Sequence, residues 1–402
     1  MKVRKKRMKS LIIFLFAILG LLIILIVTSA LIYSPTYMYR IITNIDSSIS
    51  DYKIFPNRVI DKGGVPYSYA YSLNNTLSKL PITYAHDGHS KESTLSDLIE
   101  QTDTTSFIIL QDDKIVYEQY ANGYNKDSIN TSFSMVKSID SLLIGKAIED
   151  GYIKSEDQSI AEYIDEFKGT PLEHITIREL LLMRSDIVYD EGLLWFGDDS
   201  LTYWMPDLRK LALSHREQAQ HYNGNFHYNN YHPLLLGIIL ERSTGMSVST
   251  YFEQQIWQKI GAQHEASWSL DSESSGFEKM ESGLNFRSLD FIKIGSMMLH
   301  NGNWNGEEII NQDWIAKSTV SNFPINSNDY VGSFLEDKNI GYQYMWYTLP
   351  DEASENNYFA WGKYGQVLYI SPSRNIVILR TGKSDGDVDV WPELINSIAC
   401  EI

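Results

Sequence analysis

Thr131-Ser132-Phe133-Ser134-Met135-Val136-Lys137-Ser138-Ile139 places a hydroxyl and an amine three residues apart at the predicted start of a helix. Apolar residues recur at Met135, Ile139, Leu142, Leu143 and Ala147, a spacing that buries one helical face, and Gly151 supplies a C′ residue where the pattern ends. On such a helix Lys137 lies over Ser134, and the helix N-terminus favours the negative charge that develops during nucleophilic attack. A serine hydroxyl is a poor nucleophile until a base takes its proton, and a lysine serves as that base only if burial or a neighbouring cation lowers its pKa. An ordinary serine-capped helix has the same S-x-x-K spacing. Reading Ser134 as nucleophile and Lys137 as base therefore depends on the rest of the chain.

Upstream of this helix, Ser106–Leu110 and Lys114–Glu118 are two strand-like runs around Gln111-Asp112-Asp113, the pattern of a hairpin. Downstream, helical or loop patterns run to about residue 320, with Ile175–Met183 and Leu234–Glu241 the clearest apolar pieces. Strand patterns return at Gln366–Ile370 and Asn375–Arg380 across the turn residues 371–374. The predicted architecture is α+β, with an antiparallel sheet built from both termini of the domain and a helical subdomain inserted between them.

The first ten residues carry six cations, and residues 11–33 follow without a charge. A helix of that length reaches about 35 Å, enough to cross a hydrocarbon core of about 30 Å. A cleaved signal peptide is the competing reading, with small residues at Thr28-Ser29-Ala30, but its apolar core is normally only about 7–15 residues long. The expectation is an uncleaved single-pass anchor with a cytoplasmic basic segment at 1–10, a transmembrane helix at 11–33, and the remainder outside the cell membrane. The single cysteine, Cys400, excludes a lipoprotein anchor and any internal disulfide, and an exported protein without disulfides suggests a bacterial surface. All six cations before residue 34 are unopposed, so the rest of the chain carries −23 against −17 for the whole. Charge of that sign repels phosphate backbones, and nucleic acid is not an expected partner.

Residues 34–100, interrupted by Pro35, Pro56, Gly63-Gly64 and Pro66, read as a stalk and N-terminal extension. His86 and His89 fall in a Gly/Asp loop and read as solvated rather than metal-ligating. His215, His221, His227 and His232 stand at intervals of six, six and five, which do not stack on one helical face; an aqueous loop accounts for them. No metal or cofactor is expected. G-x-S-x-G, H-E-x-x-H and P-loop motifs are absent from the sequence.

Two further stretches complete a pattern. Tyr228 and Asn230 stand two apart in a loop before a buried helix; a phenol flanked by cations can relay protons, and the Asn amide can bond both a lysine amine and a substrate carbonyl. Trp361-Gly362-Lys363-Tyr364-Gly365-Gln366 enters the first strand of the last hairpin. There Gly365 would let substrate lie against the strand edge, the amides of Gln366 and Ser134 would form an oxyanion hole, and Lys363 offers a charge for a carboxylate.

The ordered set S-x-x-K, Y-x-N, K-x-G resembles the serine β-lactamase and penicillin-binding-protein superfamily, most nearly its class C branch. The stretches at 134–153, 175–183, 251–257 and 360–366 are similar to those of 6-aminohexanoate-dimer hydrolases and related esterases, and the likeness runs over about residues 100–385. The resemblance implies a β-lactamase/transpeptidase-like serine hydrolase domain at 101–402. Within it Ser134 would be acylated, Lys137 would be the base and Tyr228 the proton relay, while Asn230, Lys363, Gly365 and Gln366 would bind substrate. It also implies small amides or esters as substrates, with D-alanyl groups of the cell envelope the leading candidates. The alternatives are a β-lactamase or D-Ala-D-Ala carboxypeptidase, and a catalytically idle surface binding protein. No oligomeric state follows. The chain departs from the pattern at Tyr364, where a small hydroxyl residue is common, and at Asp186, where Ser-Gly is common. Trp195, Tyr203, Trp204 and Trp361 are expected around the cleft mouth.

Overall fold

The computed structural model describes residues 2–192, 194–214, 217–218, 224–320, 325, 327, 330–349 and 356–402. His215 and His221 lie outside them. The principal sheet has eight strands in the order Gly341–Gln343, Trp346–Leu349, Asn357–Gly362, Gln366–Ser371, Ile376–Gly382, Thr104–Gln111, Lys114–Tyr120 and Ala70–Tyr71. Every pairing is antiparallel except the last. The two termini of the domain thus meet in one sheet with the helical segments between them, as the spacing of strand patterns predicts. The strands Gln366–Ser371 and Ile376–Gly382 are buried at every position, so both sheet faces are covered. Alternation along the strands assigns the covers. Helix Ser288–Leu299 packs on the side of Leu368 and Val377, and the C-terminal helix Trp391–Cys400 covers the opposite side, where Arg380 lies 4.1 Å from the Trp391 ring centre.

A second, four-stranded sheet has the order Asn57–Ile60, Ala266–Ser269, Leu284–Phe286 and Asn130–Thr131. Its last strand leads directly into the helix Met135–Glu149 that follows Ser134, which packs against helix Tyr231–Thr244 and strand Asn357–Gly362.

The segment 34–100 is not a stalk. Asn57–Ile60 pairs with Ala266–Ser269, Ala70–Tyr71 joins the main sheet, and Leu95, Leu98 and Ile99 are fully buried. His86 and His89 face each other in a hairpin of strands Pro81–His86 and His89–Thr94, with Asp87-Gly88 at the tip. His86 and Asp87 come near Asp389, whose carboxylate already accepts the backbone N–H groups of Asp87 and Gly88. Among the described residues one helix is long and apolar enough to cross a membrane, spanning Arg7–Ile32. It is followed at once by helix Pro35–Asn44, whose Tyr37 and Met38 pack with Phe55 and Trp204.

Gly145, inside helix Met135–Glu149, marks the closest approach of a neighbour: a Cβ there would stand 2.5 Å from the Trp314 indole ring. Alanine normally favours a helix interior over glycine by about 1 kcal/mol. Here Gly145→Ala should instead lower stability by about 1–3 kcal/mol through overpacking, read as a lower melting temperature; a raised one would contradict this packing.

Candidate active site

Strand Asn130–Thr131 turns into helix Met135–Glu149 through Phe133, which adopts a positive φ of 44°. For a bulky residue this is strained by of order 1–3 kcal/mol, and the buried ring packs edge-on against Tyr364, 5.3 Å between centres. Ser134 follows at the N-cap position with helical dihedrals and does not use its side chain as a cap. Its Oγ is instead 2.8 Å from Nζ of Lys137. This contact distinguishes the stretch from an ordinary capped helix.

Lys137 is only 2% exposed, and its amine also donates to the Glu281 carbonyl at 3.0 Å and sits 5.0 Å from the Tyr228 ring centre. The Glu281 side chain is fixed in turn: its carboxylate pairs with the buried Lys279 amine (2.8 Å) and accepts from Ser282 Oγ, and the Ser282 carbonyl accepts from Ser132 Oγ at 3.1 Å. Burial pushes the Lys279 amine down from its ordinary value, and Glu281 partly offsets this. One turn beyond Lys137 lies Asp140, fully buried, with neither carboxyl oxygen hydrogen-bonded among the described residues. Burial raises its pKa well above the usual carboxylate range, against the pull of Lys137.

Ser134 opens on two lobes. The polar lobe, of about 490 Å³, is lined by Asp46, Glu191, Asp199, Tyr203, Glu281 and Lys363 among others; the apolar lobe, of about 380 Å³, by Val331, Phe334, Tyr347, Trp361 and Tyr364. Ser134, Tyr228 and Lys363 border both. Asn230 lines the polar lobe, but its Nδ2 donates to Tyr189 Oη at 2.9 Å and Asp199 Oδ1 at 3.3 Å rather than engaging the lysine, whose amine is turned to Ser134 and Glu281. The Asn230 Oδ1 has no protein partner among the described residues.

The K-x-G stretch does not sit as its sequence implies. Lys363–Gly365 is a tight turn after strand Asn357–Gly362, with Tyr364 at φ 65° and Gly365 at φ 65°. Gly365 is pressed against Trp391 and Arg380, and Gln366 is fully buried with its side chain exchanging hydrogen bonds with Gly382, so neither lines the cleft. Arg380 pins the turn from below through the Tyr364 carbonyl. The glycine beside Ser134 is Gly362, where a Cβ would lie 2.5 Å from the Ser132 carbonyl and 3.0 Å from the Ser134 amide.

Of the expected rim aromatics, Tyr203, Trp204 and Trp361 line the lobes, whereas Trp195 packs with the helix Pro35–Asn44 cluster. Asp186 takes the left-handed conformation a glycine would take there (φ 61°) and accepts from the Gly224 amide. His232 is not in an aqueous loop: it is buried in helix Tyr231–Thr244, 2.6 Å from Ser185 Oγ, and burial lowers its pKa to about 3.

Residues 92–395 match the beta-lactamase family. The chain belongs to that family. It is a serine hydrolase of the amidase, esterase and β-lactamase type. It is 24% identical over 323 residues to the 6-aminohexanoate-dimer hydrolase of Paenarthrobacter ureafaciens, covering 77% of this chain and 80% of that one. Among solved structures it is similar to a Bacillus anthracis protein provisionally assigned as a 6-aminohexanoate-dimer hydrolase, at TM-score 0.73, 21% identity and 88% and 92% coverage of the two chains. A family VIII carboxylesterase aligns at TM-score 0.57, 15% identity and 76% and 94% coverage.

Asp140 yields a pH test. Its raised folded pKa means that the native protein keeps a proton the unfolded chain releases, so its contribution is complete below the unfolded pKa and is lost as pH rises towards the folded one. The loss is about 1.4 kcal/mol per pH unit. Asp140→Asn removes that slope, so in urea titrations the variant should gain on the wild type as pH rises above about 5. A constant difference would mean that Asp140 is ionised in the folded protein.

Proposed function

We propose that this protein is a membrane-anchored, extracytoplasmic serine hydrolase that works through an acyl-enzyme on Ser134. The observation that carries the reading is the 2.8 Å contact between Ser134 Oγ and the buried Lys137 amine. Lys137 takes the hydroxyl proton as Oγ attacks the acyl carbon. The oxyanion forms beside the Ser134 N–H, with a second N–H drawn from the strand end at Gly362–Lys363 rather than from Gln366. Tyr228, bordering both lobes beside Lys137, passes a proton to the departing amine or alcohol, and water then releases the acid. The helix Arg7–Ile32 behind a cationic N-terminus supports an anchor with the catalytic domain outside.

Small amides and esters are the substrate class, with D-alanyl groups of the cell envelope the leading candidates. Two contacts disfavour efficient β-lactam turnover. Lys363 is already paired with Asp46 at 2.7 Å, and the Tyr364 hydroxyl, where a small hydroxyl residue would face a carboxylate, donates to the Ser47 carbonyl at 2.6 Å. The intact Ser134–Lys137 contact argues against an idle binding protein.

A fluorophosphonate should label Ser134, and Ser134→Ala should abolish the adduct by mass spectrometry; a label mapping to another serine overturns the assignment. Nitrophenyl acetate should be cleaved faster than penicillin, and the reverse order would make the protein a β-lactamase.

A further inference from the structure

The chain that follows helix Pro35–Asn44 forms part of the catalytic cleft. Ile45, which ends that helix, has a positive φ of 63°, a conformation that a β-branched residue rarely adopts, and it turns the next residues towards the polar lobe. Asp46 Oδ1 and Ser47 Oγ both accept from the Lys363 amine, at 2.7 and 2.9 Å. Tyr364 Oη donates to the Ser47 carbonyl, Thr131 Oγ1 donates to the Ile49 carbonyl at 3.0 Å, and Tyr203 Oη donates to Asp51 Oδ2 at 2.7 Å. Upstream, Arg40 is tied to the Trp204 and Asp271 carbonyls. Residues 45–51 are therefore a strap fastened to the strand before the nucleophile, to the turn that carries Lys363 and to helix Asp198–Trp204.

Lys363 is the only cation lining either lobe among the described residues, and the strap has neutralised it. The other charged residues of the polar lobe are Glu191, Asp199 and Glu281. Resting on the reading of Ser134 as nucleophile, we propose that Asp46 is a specificity-determining residue. Its carboxylate fills the position on Lys363 that a substrate carboxylate would need, so the cleft takes acyl donors that are neutral or carry an amine and disfavours anionic ones. The pair holds in both directions: burial opposes it, but Asp46 keeps the Lys363 pKa above its ordinary value, and Lys363 keeps that of Asp46 below.

The test uses the full-length protein in detergent and three nitrophenyl esters with the same leaving group: the acetate, the hemisuccinate and the alanine ester. In Asp46→Asn the kcat/KM ratio of hemisuccinate to acetate should rise about tenfold or more, mainly through KM, while the ratio of alanine ester to acetate falls. Asp46→Glu should keep the wild-type ratios. Adding Lys363→Met to Asp46→Asn should cancel the gain, since the freed amine is what receives the new carboxylate. An unchanged hemisuccinate ratio in Asp46→Asn, or a gain that survives Lys363→Met, overturns the proposal. Fluorophosphonate labelling of Ser134 separates the two levels: failure to label the wild type overturns the catalytic reading instead.

Discussion

A lysine amine kept out of water is the constraint around which this site is arranged. Removing an ammonium-bearing side chain from solvent is costly unless each direction it faces offers an acceptor or a π-surface. Lys137 meets that demand with Ser134 Oγ, the Glu281 carbonyl and the face of Tyr228. Each needs its own support. The serine needs the strained turn at Phe133; the carbonyl needs the loop 279–283, drawn tight by the Lys279–Glu281 pair and by Gly283, where a Cβ would meet the Lys279 carbonyl at 2.7 Å. Asp140 lies below with both carboxyl oxygens unpartnered, so among the described residues the amine has no buried carboxylate as direct partner.

What the sequence disclosed was local. Ser134 and Lys137 are readable because a helix fixes the geometry of residues three apart, and the hairpin around Gln111–Asp113 because two β-rich runs flank a turn. Asp140 also left a trace, as an acid on the buried side of an apolar helix, three residues after the lysine. The K-x-G stretch misled because Trp361-Gly362-Lys363-Tyr364-Gly365 offers two glycines, and what distinguishes them is distant in sequence. Arg380 and Trp391 crowd Gly365, and Ser132–Ser134 crowds Gly362. The segment 34–100 reads as a stalk in sequence because its prolines and glycines break local periodicity, while its order comes from pairing with strands some 200 residues away. His232 belongs to an apolar helix that begins at Tyr231, three residues before the continuous apolar run at Leu234 makes it legible.

The N-terminal region joins two properties that are usually separate. The apolar helix Lys2–Ile32 runs almost directly into helix Pro35–Asn44, and the aromatic cluster of Tyr37, Phe55, Tyr203 and Trp204 docks that second helix beside the cleft. Only then does the chain turn at Ile45 and reach Lys363. Under the proposed topology the element that tethers the enzyme and the element that shapes its acyl-donor preference are one continuous piece of about 50 residues. The cleft cannot drift along a flexible tether: aromatic packing and the Arg40 bonds hold its polar lobe close to the end of the apolar helix. An acyl donor displayed near the surface from which that helix emerges would meet the lobe without a hinge motion, which fits an enzyme acting on esters or amides of the envelope rather than on freely diffusing ones.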